Sequence, residues 1–315
     1  VSKKFKPIDI SKAKTYKIEK RKTKVELDDL AKTLNKNASF KDFFKSLPNI
    51  LAVKDLRDVA KAVVAAKKKG KPVIFGLGAH VIKCGLSPLI IELMKQGFIS
   101  AIALNGAGAI HDFEIATIGR TSEDVGEGLK EGLFGMVKET ADNINSALKA
   151  CHDGKTGFGE AVGQKIIELK APNAERSILA EGLKNDVPVT VFVAMGTDTI
   201  HMHPSMDAKA TGEGSFTDFK VLSGVVSELN DGGVYLNIGS TVILPEVFLK
   251  ALNMARNIKG EVKNFTTAPF DMIAHYRPRV NVVTRPTEGS GKGYNIIGHH
   301  EIMIPLLSQA IIEEA

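Results

Sequence analysis

From residue 50 onward, short unbroken apolar runs alternate with segments of helical spacing, and that alternation constrains the fold more than any other feature of the chain. "PVIFGLG", "ISAIALNGAGA", "VPVTVFVAMG", "GGVYLNIGS" and "RVNVVTRP" each read as a strand running into a turn of small residues, threonine or proline. Between them, "KDLRDVAKAVVAAKKKG" spaces its apolar residues helically, ends in lysines and is stopped by Gly70. "SPLIIELMKQG" has Pro88 near a helix start, and "SFTDFKVLSGVVSEL", "LPEVFLKALNMARN" and "HHEIMIPLLSQAIIEEA" are further helices. Strands that are apolar throughout must be covered on both faces. The expected fold is therefore α/β, a parallel sheet with helices on both sides. Residues 50–315 are expected to form one domain, with a helical insertion around 120–186 where no convincing strand occurs.

Charge sets the first 49 residues apart. Residues 1–24 hold ten Lys/Arg, Lys3 among them, against Asp9 and Glu19, so this arm carries +8 while the chain as a whole carries +6. The remainder is slightly acidic. Such an arm suits an acidic partner or a neighbouring subunit. Nothing resembles a zinc finger or an aromatic-rich basic surface, so nucleic acid is not an expected partner. No apolar run reaches the ~18–20 residues of a membrane helix, and the first residues lack the apolar core of a secretory signal. Cys84 and Cys151 make no disulfide framework, which points to a reducing cytoplasm.

In a parallel sheet, ligands bind outside the carboxyl ends of the strands. "GLGAH", "NGAGAIHD", "GTDTIHMHPS" and "GSTVILPE" should meet on that edge. Gly106 and Gly108 would let backbone N–H groups approach a phosphate, although the spacing is not GxGxxG. Seven of the eight histidines (His80, His111, His201, His203, His275, His299, His300) fall after candidate strands or before a helix. They suit an anionic substrate, proton transfer near neutral pH, or a metal shared with Asp112, Asp198 or Glu301. No HExxH or Cys/His pattern fixes a metal. Lys292 stands in the glycine-flanked "PTEGSGKGYN", where a dry site would make it a nucleophile.

Three stretches in the same order resemble the deoxyhypusine synthase family: "VIFGLGAHVIKCGLSPLIIELMKQGFISAIALNGAGAIHDFEIATIG", "VTVFVAMGTDTI", and "NFTTAPFD" through "RPTEGSGKG" to "IMIPLL". The resemblance implies a Rossmann-like fold, a homotetramer, NAD as cofactor, and transfer of an aminobutyl group from a polyamine through a lysine imine. By position it implies cofactor contacts at Ala79, His80, Val81, Ile82, Asn105, Gly106, Ala107, Asp198, Ser240, Thr267, Ala268, His299 and His300. Lys292 corresponds to the catalytic lysine, but its loop is shorter and lacks the family's tryptophan. His111 and His203 stand where the family has acids and are expected to act in catalysis. His201 and Glu288 are expected to contact substrate. A polyamine needs carboxylates to offset its desolvation, and imidazoles remove that attraction, so the expected substrate is altered. Two rival readings remain. One is a metal-dependent enzyme using His111, His201 and His203 with His299 or Glu301. The other is a binding module whose basic arm docks on an acidic protein.

Overall fold

The computed structural model describes residues 4–315, so Lys3 and its two predecessors lie outside the described residues. Five strands make the body of one sheet: β1 Val73–Leu77, β2 Ala101–Asn105, β3 Val189–Phe192, β4 Val234–Ile238 and β5 Thr266–Asp271. Two short strands, β6 Lys292–Gly293 and β7 Ile296–Ile297, both pair with the outer side of β5. Every pairing is parallel, in the order β3-β2-β1-β4-β5-β6.

Period-two alternation divides the strand residues between two cores. Phe75, Leu77, Ile102, Leu104, Leu236 and Phe270 pack on one face, with helices that include Leu51–Lys68, Ser87–Lys95 and His300–Glu314. Ile74, Ala101, Ala103 and Tyr235 face the other way, against the Ala208–Ser227 and Ile243–Lys259 helices. The sheet is thus covered on both sides.

Between β2 and β3 run the helices Gly106–Ile118, Val125–Glu131, Lys138–Leu148, Phe158–Glu168 and Ile178–Lys184. In the basic arm, described residues 4–38 include none that is buried, and Ile8 and Leu27 are 87% and 85% exposed. Among the described residues no helix is long and apolar enough to cross a membrane.

One expected strand does not form. "RVNVVTRP" lies in the π-helical segment Pro278–Thr284 and the helical turn Arg285–Thr287. Its β-branched residues favour a packed surface rather than a strand as such. Here the buried Asn281 fixes the turn: it donates to Glu246 Oε1 at 2.9 Å and accepts from Arg285 Nη1 at 2.7 Å. The fifth strand comes instead from "TTAPFD". Thr267 and Asp271 turn their carbonyls to the outer neighbours, accepting from Tyr294 N–H and Gly298 N–H, so Pro269, between them in the alternation, also faces outward. Its missing N–H falls where β6 has ended and β7 has not begun.

Candidate functional site

The chain winds outward from β1 to β3 and then returns to β4 on the other side of β1, so the strand order reverses between β1 and β4. There the loops leaving the two strands are in contact. Gly78 N–H donates to Ile238 O at 2.8 Å, and a Cβ on Gly78 would lie 2.0 Å from Gly239 O. Only glycine fits. The ring of His300 lies against Gly239 and meets the ring of His80 edge-on at 5.6 Å. His300 Nε2 is 3.2 Å from Phe270 O, so the neutral ring carries its proton there. Its buried Nδ1 is then an acceptor with no partner. Asn237 donates to Ser240 O at 2.8 Å, and its buried Oδ1 is likewise unpartnered.

A second constellation stands at the end of β2. Asn105 Oδ1 accepts Gly108 N–H at 3.1 Å and caps the Gly106–Ile118 helix. Asp198 covers that helix start so closely that a Cβ on Gly106 would lie 2.0 Å from its Oδ2. Burial pushes the Asp198 carboxyl up to about 6, opposed by the Ala107 N–H. A carboxylate therefore occupies the place where an ordinary dinucleotide fingerprint would hold a phosphate.

His201 completes this pair. Its Nδ1 accepts from Gly196 N–H at 3.2 Å and Asp198 N–H at 3.3 Å, which leaves the ring proton on Nε2. Burial holds its pKa below the usual imidazole range, favouring the neutral ring. His201 Nε2 and Asp198 Oδ2 are 3.9 Å apart, beyond a hydrogen bond, and neither has another partner. Their side chains are 3% and 4% exposed. A buried donor and a buried acceptor thus face each other across a gap that one polar group can bridge. Left unmade, each such bond costs about 1–3 kcal/mol.

The other two histidines of the expected cluster have separate partners. His111 Nδ1 lies 2.6 Å from Thr121 Oγ1, and Thr121 donates to Glu114 Oε2 at 2.5 Å. Since the hydroxyl proton goes to Glu114, His111 donates from Nδ1 and keeps Nε2 free. Thr140 adds a bond to Glu114 at 3.1 Å. Although burial raises the Glu114 carboxyl, the nearby His111 ring and the hydroxyls of Thr121 and Thr140 bring it below its ordinary value. His203 Nδ1 instead bonds Ser205 Oγ at 2.8 Å and lies 3.5 Å from Asp142. Among the described residues no three His, Cys, Asp or Glu side chains gather as a metal site requires. Asp112, a candidate ligand in the sequence, caps the Ile178–Lys184 helix through Ile178 N–H and Leu179 N–H.

Of the expected cofactor contacts, Ala79, His80, Val81 and Ile82 form the short helix after β1, with Val81 and Ile82 buried in the core. Asn105, Gly106, Ala107, Asp198, Ser240 and His300 are on the carboxyl edge, and His299 is exposed beside them at the start of its helix. Two placements depart from the expectation of contact loops. Thr267 and Ala268 are fully buried inside β5, where Thr267 pairs with Tyr235 near the strand beginnings. Lys292 and Glu288 depart further. Lys292 pairs with Thr266, the first residue of β5, so within this chain it stands at the amino edge, opposite Asp198 and His201. Glu288 is exposed in the loop that leads to it. The physical reason is that Lys292 is the first residue of β6, which runs parallel to β5, and parallel neighbours begin at the same edge.

Sequence reasoning missed Asn237, Thr121 and Glu114. Asn237 was legible as a lone polar residue in "VYLNI", and Glu114 as the i+3 neighbour of His111 on one helix face.

These features define a doubly wound α/β protein with buried, unpartnered polar atoms where its strand order reverses. No protein-family profile matches the sequence. A stretch of 148 residues, 46% of this chain, is 27% identical to the ornithine cyclodeaminase of Methanothermobacter thermautotrophicus. The chain spans about a third of the length of that curated relative. Among solved structures, AgrE in ternary complex with ornithine and NAD+ is similar with a TM-score of 0.54 at 14% identity, over 82% of this chain and 33% of AgrE. A protein provisionally called a deoxyhypusine synthase, from Entamoeba histolytica, is similar with a TM-score of 0.52 at 9% identity, over 89% of this chain and 95% of its own. What these structures share with the chain is the Rossmann-like fold. The deoxyhypusine synthase resemblance holds at that level, alongside ornithine-processing proteins of the same architecture.

Proposed function

We propose that this chain binds NAD across the carboxyl edge of its sheet and serves an enzyme that oxidises or reduces a carbon bearing nitrogen in a small amino acid or amine. The observation that carries this reading is the buried, unpartnered pair of Asp198 Oδ2 and His201 Nε2 at the start of the Gly106–Ile118 helix. The residues fit such a cofactor. His300 Nδ1 and Asn237 Oδ1 offer free acceptors beside the point where the β1 and β4 loops meet. Because Asp198 fills the helix start, the group it receives is neutral and hydrogen-donating, such as a hydroxyl or carboxamide, rather than a phosphate. When bound, NAD would supply a hydride acceptor or donor. The ornithine in the AgrE complex and the ornithine cyclodeaminase relative support the substrate class.

The chain's own residues would orient and move protons. His201 donates from Nε2, and Asp198 accepts. His111 is the base in this reading: Thr121 and Glu114 fix its tautomer with Nε2 free, five residues or roughly 7.5 Å along the helix from Gly106. The finer proposal of aminobutyl transfer through Lys292 would need another subunit to bring that lysine across. The tetramer belongs to the same proposal, and the exposed apolar residues of the basic arm support a role in assembly. Isothermal titration with NAD+ and NADH tests the central claim. Saturable heat with either form is the expected result, and no heat with both removes the reading.

A further inference from the structure

The Val125–Glu131 helix of the insertion has an apolar face that nothing described in the chain covers. None of its seven residues is buried. Val125 and Leu129, one turn apart on the same face, are 50% and 66% exposed, and Leu133 just beyond the helix is exposed as well. Helices shorter than about 12 residues are marginal in water and take their stability from packing. This one is nevertheless fixed at both ends. Asp124 caps it, accepting Gly126 N–H at 2.8 Å and Glu127 N–H at 3.1 Å. Gly135 closes the segment: its N–H donates to Glu123 Oε1 at 2.8 Å, and a Cβ there would lie 2.5 Å from Thr199 Cγ2. The helix is anchored while its apolar face stays bare.

The same segment holds the negative charge of the chain. Residues 121–142 have six acids, the exposed Glu127, Glu131 and Glu139 among them, against Lys130 and Lys138, a net of −4. With +8 in the arm and +6 in the whole chain, everything outside the arm carries −2, so the rest of it is slightly basic.

The basic arm is the opposite surface. Over residues 4–24 its cations are interleaved with Ile8, Ile10, Tyr16 and Ile18, all more than two-thirds exposed. Its backbone is shaped by the tight turns Ile10–Lys12 and Ile18–Lys20, and Asp9 accepts Ser11 N–H at 3.0 Å. Within one chain the two surfaces do not cover each other, because neither has a buried residue among those described.

We propose that the basic arm of one copy lies on the Val125–Glu131 helix of a second copy, its isoleucines against Val125, Leu129 and Leu133 and its lysines among Glu127, Glu131 and Glu139. Every copy carries both halves of this contact, so a closed symmetric assembly satisfies all of them. Apolar burial supplies the attraction, and opposite charge selects this face. The proposal rests on the assembly read above, names the surface that receives the arm, and does not depend on NAD.

The chain has no tryptophan, so Leu129→Trp puts a single reporter on the helix and keeps the position apolar. In low salt its fluorescence is expected at the short wavelength of a covered indole. Ile8→Asp/Ile18→Asp in the same chain should shift it to the long wavelength of a wet one. Co-expressing the parent chain with that triple variant should restore the short wavelength, since the parent supplies an intact arm, and added salt should weaken the restoration. Light scattering on the parent separates this contact from the assembly itself. A monomeric parent removes both. An oligomeric parent whose reporter ignores the arm substitutions keeps the assembly and overturns the arm contact. A reporter that responds to those substitutions but not to the parent chain puts the arm on its own helix and overturns the second copy.

Discussion

The two edges of one sheet carry opposite kinds of unfinished chemistry. At the carboxyl edge the unpaired groups are buried: Asp198 Oδ2, His201 Nε2, His300 Nδ1 and Asn237 Oδ1 have neither protein partners nor solvent. At the amino edge they are wet, because Lys61, Lys69 and Lys292 are exposed. A buried unpaired group lowers the stability of the free chain, whereas an exposed cation costs almost nothing. Substitutions at the first edge should therefore register in stability as well as in binding. At the second edge they should hardly register in stability.

The widest contrast is between two glycines. Gly78→Ala would drive a Cβ to within 2.0 Å of the Gly239 carbonyl, backbone against backbone, whereas Gly70 at the amino edge has nothing within 4 Å of that position. We expect Gly78→Ala to cost about 3 kcal/mol or more in urea denaturation, as overpacking does. Gly70→Ala should cost only about 1 kcal/mol, from its positive φ of 64°. Equal unfolding midpoints would mean that the β1 and β4 loops do not meet as described.

Next in size is cofactor affinity. Asp198→Ala removes the acceptor of the buried pair and should weaken NAD by about 1.5–3 kcal/mol, roughly ten- to hundred-fold by calorimetry. An unchanged affinity would move the cofactor away from the Gly106–Ile118 helix start.

The same residue sharpens the comparison through pH. The folded-state pKa of Asp198, about 6, stands above that of an unfolded aspartate, so the folded chain binds its proton more tightly. The stabilisation linked to that proton is full below about pH 4 and is lost as pH rises through about 6. Asp198→Asn keeps the shape without the charge. It should match the parent at pH 4 and exceed it at pH 8 by on the order of 2 kcal/mol in denaturant melts. A constant difference across that range would contradict a buried, proton-binding carboxylate.

The smallest expected effect is at the wet edge. Lys292→Ala should change stability by less than about 0.5 kcal/mol and leave NAD affinity untouched. A large loss of NAD binding in this variant would return Lys292 to the cofactor site and imply that another subunit carries it there.

Much of the fold was legible along the chain, because the burial of a strand is a local matter of composition. Unbroken apolar runs cannot face water on either side, and β1 to β4 formed where those runs lie. The exceptions are equally physical. "RVNVVTRP" has strand-forming residues, but the Asn281 bonds to Glu246 and Arg285, made by tertiary contact, hold it helical. "TTAPFD" has a proline that argues against a strand until the gap between β6 and β7 shows where the missing N–H goes. The candidate site was half legible. The rule that ligands meet strand carboxyl ends gathered Asn105, Gly106, Asp198 and His201 from the sequence alone.

Which atoms remained unsatisfied was decided only by the tertiary structure. An unbroken apolar run fixes that a strand is buried but not which neighbour it pairs with or in what register. The register put Lys292 opposite Thr266 at the amino edge and Thr267 inside β5. The Gly106–Ile118 helix and the loop after it gave His111 to Thr121, whereas the turn after β3 gave His203 to Ser205 and left His201 facing Asp198 across 3.9 Å. Residue type and spacing determine that a histidine follows a strand. Its free nitrogen depends on the partner it finds, and for His300 that partner is Phe270, thirty residues away in sequence and present only once the chain has closed on itself.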